Sequence, residues 1–159
     1  MKKHVALLMS TLLVVIDQLL KLVATDYLKP IGAIRLIPDI FHFTYVENRG
    51  AAFGMMEGQK WLLIGVTTAV ILFAVVITLM GKIENTSLLF AVATIIGGGV
   101  GNLIDRVYRN FVIDYIHVKV INFAVFNFAD ICVTVGTVWL LVYLIYGFKK
   151  DAIGETKSV

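Results

Sequence analysis

The sequence is short of the side chains that most often serve as nucleophiles or metal ligands. A single cysteine, Cys132, excludes an intramolecular disulfide, and its position inside an apolar run suits a small packing residue. Serine occurs only as Ser10, Ser87 and Ser158. Histidine occurs only as His4, His42 and His117, scattered singly and read as interfacial or surface residues. Charge is scarce too: 16% of the residues are charged against 59% hydrophobic, and the mean hydropathy is +0.89. These values exclude an ordinary soluble domain. The net charge of +3 is modest and unclustered, which argues against nucleic acid as a partner.

What the chain has instead is long apolar runs. A helix needs about 20 such residues to cross ~30 Å of hydrocarbon, and four segments qualify, at approximately 5–24, 61–80, 87–104 and 128–148. The expected fold is therefore membrane all-α, a bundle of four transmembrane helices. The two long loops, 25–60 and 105–127, lie on one side, and residues 1–159 form a single unit. Lys2 and Lys3 before the first run resemble a secretory signal, but no small-x-small site follows, so an uncleaved first span is expected. Lysines in both tails, Lys2, Lys3, Lys149 and Lys150, favour cytoplasmic termini. The two long loops carry seven basic residues against six in the tails and the short 81–86 loop together, so charge alone orients the chain only weakly.

Threading the chain up and down brings a set of polar residues to one membrane face. Asp17 lies late in the first span, Asn48 and Arg49 in the first loop, Asn102, Asp105 and Arg106 at the end of the third span, and Asn127 and Asp130 at the start of the fourth. Ionisable groups at such depths are costly and mark functional sites. Simpler readings exist for individual members. Asn127 and Asp130 fit a helix N-cap with an acid against the helix dipole. Asp17 and Lys21, spaced i to i+4, fit a local ion pair, or Lys21 snorkels to the interface. Gly97 and Gly101 have the small-xxx-small spacing of close helix packing.

The loops have patterns of their own. FHFTYVEN favours a strand, and NRGAAFG a turn whose Gly50 and Gly54 permit close backbone approach. IDYIHVKVI alternates, placing Asp114 with Ile116 and Val118 on an apolar face and Tyr115, His117 and Lys119 on the other.

Elimination narrows the chemistry. No serine falls at the polar face for a Ser-Lys pair, no histidines stand at zinc-ligand spacing, and Cys132 has no base to activate it. Neither a metal nor another cofactor is expected. Carboxylates are what the cluster supplies: Asp17, Asp105, Asp114 and Asp130. Two carboxylates sharing a proton can activate a water and polarise a carbonyl, because their mutual repulsion drives the two pKa values apart. An ion-coupled carrier also uses intramembrane acids, but it would place them at the midplane and usually on repeated halves, and no repeat is visible. A structural subunit would leave the convergence unexplained.

The motifs DQLLK at 17–21, ENRGAAFG at 47–54, GGGVGNLIDR at 97–106, VIDYI at 112–116 and FNFAD at 126–130 resemble, in order and over nearly the whole chain, those of bacterial lipoprotein signal peptidases (signal peptidase II), an aspartic peptidase family. The resemblance implies four transmembrane helices with both ends cytoplasmic and a small extracytoplasmic β-cradle beside a site at the outer face of the cytoplasmic membrane. It implies a catalytic dyad of Asp114 and Asp130, with Asp17, Lys21, Asn48, Gly50, Asn102, Asp105, Arg106 and Asn127 supporting or binding substrate. The implied substrate is a diacylglyceryl-modified prolipoprotein, cut just before its lipidated cysteine among membrane lipids, and the implied inhibitor is globomycin. Arg106 is expected to pair with Asp105 or with a substrate carbonyl.

Overall fold

The structure, a computed structural model, describes residues 1–51, 55–121 and 123–147. Gly54 of the first loop, Phe148 at the expected end of the fourth span, and the tail lysines Lys149 and Lys150 lie outside the described residues. Helix α1 (Lys2–Val23) runs on through a π-helical turn, Ala24–Leu28, into a hairpin of β1 (Ala33–Ile37) and β2 (Phe41–Asn48). Helices α2 (Lys60–Leu79) and α3 (Thr86–Tyr108) follow, then β3 (Val112–Val118) and α4 (Phe128–Val142) with its own π-helical turn, Tyr143–Gly147. Four helical segments are long and apolar enough to cross a membrane: Lys2–Leu28, Lys60–Leu79, Thr86–Tyr108 and Phe128–Gly147. The strands form one antiparallel sheet in the order β1-β2-β3.

The helices wear their large apolar side chains outward. Leu8, Leu12 and Leu19 on α1 and Leu72, Phe73 and Val76 on α2 are all exposed, as expected of surfaces that face acyl chains. Lipid gives no hydrophobic drive for helices to meet, so close backbone packing must hold them. Helix α3 provides it, with small residues on two faces. A Cβ on Gly97 would lie 2.9 Å from the Leu13 Cβ, and one on Gly101 2.5 Å from the Asp17 carboxylate, so this pair receives α1 as its spacing suggested. The next face, at Gly98, lies against the Ala129 carbonyl, Cys132 and Val133 of α4. Ser10 Oγ adds an interhelical bond to the Ala93 carbonyl at 2.8 Å.

Helix α3 outruns its expected end. It continues to Tyr108, so Asp105 and Arg106 belong to the helix and not to the loop 105–127. The hydropathy signal fades there, but Asp105 and Arg109, one turn apart and 2.6 Å from each other, carry the helix through its polar last turns. Asn110, at φ 69, then turns the chain towards β3 in the left-handed conformation that asparagine tolerates.

The sheet departs from simple alternation in two ways. Val112, Ile113, Asp114 and Tyr115 are all buried, so Tyr115 does not share a solvated face with His117 and Lys119 as expected. That half of β3 is covered on both sides, with Ala24 and Leu28 of the α1 extension against Ile113 and Tyr115. His42, expected as a lone surface histidine, is buried directly opposite His117 on β3. The second departure is a register shift between Phe43 and Val46. Before it Phe43 opposes Ile116; after it Val46 opposes Asp114 and Asn48 opposes Val112, so β2 carries one extra residue.

Replacing Gly98 with Val should prevent α3 and α4 from closing, with a loss of monodisperse protein in detergent and a large fall in thermal midpoint. Gly65→Ala, at an α2 position with open space around it, should be neutral or slightly stabilising in the same measurement.

Candidate active site

The polar residues converge at the end of the bundle where α1 and α3 finish and α4 begins, and they do so around a buried ammonium. Lys21 is fully buried, so it does not snorkel. Its Nζ lies 2.8 Å from Asp17 Oδ2, 2.9 Å from Asp105 Oδ2 and 2.9 Å from Asn102 Oδ1. An ammonium has three protons to donate, and each has a partner. A charge so far from water is tolerable only when paired and fully hydrogen-bonded, which this arrangement provides.

Each of the two neutralised acids then holds another element. Asp17 Oδ1 accepts the Ala129 N–H at 3.1 Å, and Asp105 Oδ2 accepts the Ile113 N–H at 3.2 Å. The start of α4 is thus tied down completely: Phe128 N–H donates to the Tyr115 hydroxyl, Ala129 N–H to Asp17, Asp130 N–H to the Asn127 side chain and Ile131 N–H to the Asn127 carbonyl. Asn127 and Asp130 form a reciprocal capping box, with Asp130 Oδ2 accepting the Asn127 N–H at 3.1 Å.

Asp114 and Asp130 share one set of donors. Asp114 accepts from Asn48 Nδ2 at 2.9 Å and from Asn127 Nδ2 at 2.7 Å, while Asp130 accepts from Asn102 Nδ2 at 2.7 Å. Asn127 therefore serves both carboxylates, one through its amide and one through its backbone. It also donates to Asn102 Oδ1 at 3.1 Å. The orientation of all three amides is unambiguous, because each oxygen faces a group that can only donate: Lys21 for Asn102, the Asp130 N–H for Asn127 and the Gly50 N–H for Asn48. The three NH₂ groups are left aimed at the two acids.

The extra residue in β2 matters here. Cross-strand partners and their diagonal neighbours share a sheet face. With the shift, Asn48 sits diagonally from Asp114; without it Asp114 would oppose Tyr45 and have Glu47 as its diagonal neighbour. The bulge presents an amide where an unshifted ladder would present a carboxylate. Asp114 is nonetheless poorly solvated. Burial above all, and the adjacent Asp130 charge, push its carboxyl up to about 7 against the pull of the Asn48 and Asn127 amides.

Arg106 does not pair with Asp105. Its guanidinium donates to the Gly50 carbonyl at 3.3 Å and, weakly, to the Asn102 carbonyl at 3.4 Å, whereas Asp105 is engaged by Lys21 and Arg109. Arg49 is exposed and stands apart from the cluster. Beside the two acids opens a cavity of about 670 Å³ between α2, α3 and α4. Asn48, Asn102, Arg106, Asp114 and Asp130 line its polar part, and Val66, Val70, Ile71, Ile95, Ile131 and Val135 its apolar length. No group of three His, Cys, Asp or Glu side chains among the described residues is placed to hold a metal ion.

A bundle of this shape, with paired acids at the head of an apolar cavity, has close counterparts. The profile of the family described as Signal peptidase (SPase) II matches residues 9–146. The chain belongs to the signal peptidase II family. The lipoprotein signal peptidase of Clostridioides difficile (strain 630) is 40% identical over 145 residues, covering 91% of this chain and 97% of that one. That of Caldanaerobacter subterraneus subsp. tengcongensis is 41% identical over 141 residues, covering 89% and 96%. A solved structure, described as a bacterial membrane enzyme determined by the in meso method at 2.3 Å resolution, matches with a TM-score of 0.81 and 27% identity over 89% of this chain and 88% of that one. As a signal peptidase II family member the chain is a multi-pass membrane peptidase, a hydrolase.

Two residues of this polar cluster escape a reading of the sequence. Gln18 Nε2 lies 3.1 Å from the Gly101 carbonyl and within 3.3 Å of both Asp17 and Asp105, and its Oε1 accepts from Arg109 at 3.1 Å. Arg109 could have been found by the i to i+4 rule that paired Asp17 with Lys21. Gln18 carries no comparable signal.

Replacing Lys21 with Met should leave Asp17 buried without a counter-charge and Asp105 with Arg109 alone, at a cost of about 3–5 kcal/mol. Thermal unfolding in detergent reads this directly, and retention of the parental midpoint would contradict the hub assigned to Lys21.

Proposed function

We propose that the chain is an aspartic endopeptidase that removes the signal peptide from diacylglyceryl-modified prolipoproteins, cutting just before the lipidated cysteine. The observation that carries this reading is the pairing of two carboxylates, Asp114 and Asp130, under shared amide donors at the polar head of a long apolar cavity. A lipid-anchored substrate needs both parts: water and donors at the scissile bond, and an apolar wall for its hydrophobic segment and acyl chains. The names of the relatives support the substrate class.

In this reading a water lies between the acids. Asp130, ionised, takes a proton from it as its oxygen attacks the scissile carbonyl, and Asp114, protonated, gives its proton to the carbonyl oxygen. Collapse of the tetrahedral diol re-forms the carbonyl as Asp114 takes back the hydroxyl proton, breaks the C–N bond and passes the proton held by Asp130 to the departing amine, which returns both acids to their starting states. The raised carboxyl of Asp114 supports it as the acid of the pair. Asn102 and Asn127 keep the two carboxylates aligned, and Asn48 and Arg106, at the cavity mouth, hold the substrate backbone. Asp17, Lys21, Gly50 and Asp105 act behind them as supports.

The enzyme is one integral membrane unit in the cytoplasmic membrane. Lys2 and Lys3 favour cytoplasmic termini, which puts the sheet and the acids at the outer face. Globomycin, as the family's inhibitor, occupies the same cavity and competes with the substrate.

Asp114→Asn and Asp130→Asn should each abolish cleavage of a purified diacylglyceryl prolipoprotein while keeping the thermal midpoint. Substantial residual cleavage by either variant would sink the dyad. The pH profile follows from the direction of the Asp114 shift: a proton held up to about pH 7 is lost above it, so activity should fall on the alkaline side, approaching tenfold per unit. A rate flat from pH 6 to 9 would assign the acid elsewhere.

A further inference from the structure

Threonine hydroxyls within the helices are satisfied in different ways. Thr11, Thr25 and Thr94 donate to the carbonyl four residues earlier, at 3.0, 2.8 and 2.8 Å, the usual way to satisfy a hydroxyl in an apolar setting. Thr67 on α2 and Thr134 on α4 line the apolar part of the cavity and, like Thr68, Thr78 and Thr137 elsewhere on these helices, have no hydrogen-bond partner among the described residues; what sets the pair apart is their place in the cavity wall. Both helices begin at the polar end of the site, at Lys60 and Phe128. At 1.5 Å per residue, Thr67 lies about 10 Å and Thr134 about 9 Å below those starts, so the two residues meet the cavity at similar distances along their helices. Thr134 is one helical turn beyond Asp130, about 6 Å along α4.

We propose that Thr67 and Thr134 donate hydrogen bonds to carbonyl oxygens of the bound prolipoprotein and so set the depth at which its scissile bond meets Asp114 and Asp130. This rests on the substrate class proposed above. An otherwise apolar wall excludes water once it is filled, and a hydroxyl left there without an acceptor is costly. The substrate brings acceptors to that depth from two sources, the ester carbonyls of its diacylglyceryl group and the peptide carbonyls of its extended signal segment, whose backbone has no helical partners near the cleavage point.

The test compares wild type with the double variant Thr67→Val/Thr134→Val on two synthetic prolipoprotein peptides, one carrying a diacylglyceryl (ester) group and one the dialkyl (ether) analogue. Valine keeps the shape and removes only the donor. We expect KM for the ester substrate to rise roughly five-fold for each hydroxyl removed, with the effect on KM and not kcat, and with recovery in Thr67→Ser/Thr134→Ser. A rise confined to the ester substrate identifies the ester carbonyls as acceptors; an equal rise on both identifies the peptide carbonyls. If the threonines merely line an apolar wall, valine improves the wall, so an unchanged or lowered KM overturns the proposal. Failure of wild type to cleave the ester substrate would overturn the substrate class as well, an outcome distinct from a variant-specific result.

Discussion

The ammonium of Lys21 is the constraint on which the site depends. It bridges Asp17 and Asp105 and fixes the Asn102 amide, and through the two acids it reaches the N–H groups of Ala129 and Ile113. Those residues immediately precede Asp130 and Asp114. Two elements distant in sequence, the start of α4 and the body of β3, are therefore positioned by one charge one residue before each acid. Removing that charge would leave Asp17 with no cation and Asp105 with Arg109 alone, which makes the cluster strongly interdependent.

The asparagines carry this order forward to the two acids. A lone amide can be turned end for end at little cost, but here each oxygen meets an ammonium or a backbone N–H, so the alternative would set donor against donor. The NH₂ groups stay directed at the carboxylates without any reorganisation when substrate arrives, as preorganised electrostatics require. The arrangement also explains why the fourth helix can begin with an acid. Asp130 closes a capping box on Asn127 with one oxygen and keeps the other for Asn102, so its role as a cap and its proposed chemistry do not compete.

Much of the frame was legible because it rests on local signals. Hydropathy and length located four spans to within a few residues, and the glycine spacing on α3 marked a close-packing face, which α1 fills. Errors arose where partners are remote. The spacing of Asp17 and Lys21 revealed their pair, but nothing local could reveal Asp105 as a second partner in another helix. Adjacent residues on a helix point about 100° apart, so an Asp105–Arg106 pair was geometrically unfavourable, and the helix turn selected Arg109 instead. Alternation assigned Tyr115 to a wet face because it assumes a strand covered on one side only. The β2 register shift lay beyond reach, since ladder pairing is set between strands and leaves no periodic mark in either.

That shift makes β2 behave like a reading frame. Substitutions at Thr44 or Tyr45 would leave the downstream pairing intact, whereas loss or gain of a single residue there would exchange the parity of everything after it. Asn48 would turn away and Glu47 would swing in beside Asp114. The length of this stretch is thus under tighter control than its spelling, and engineering of the hairpin has to count residues before it chooses them.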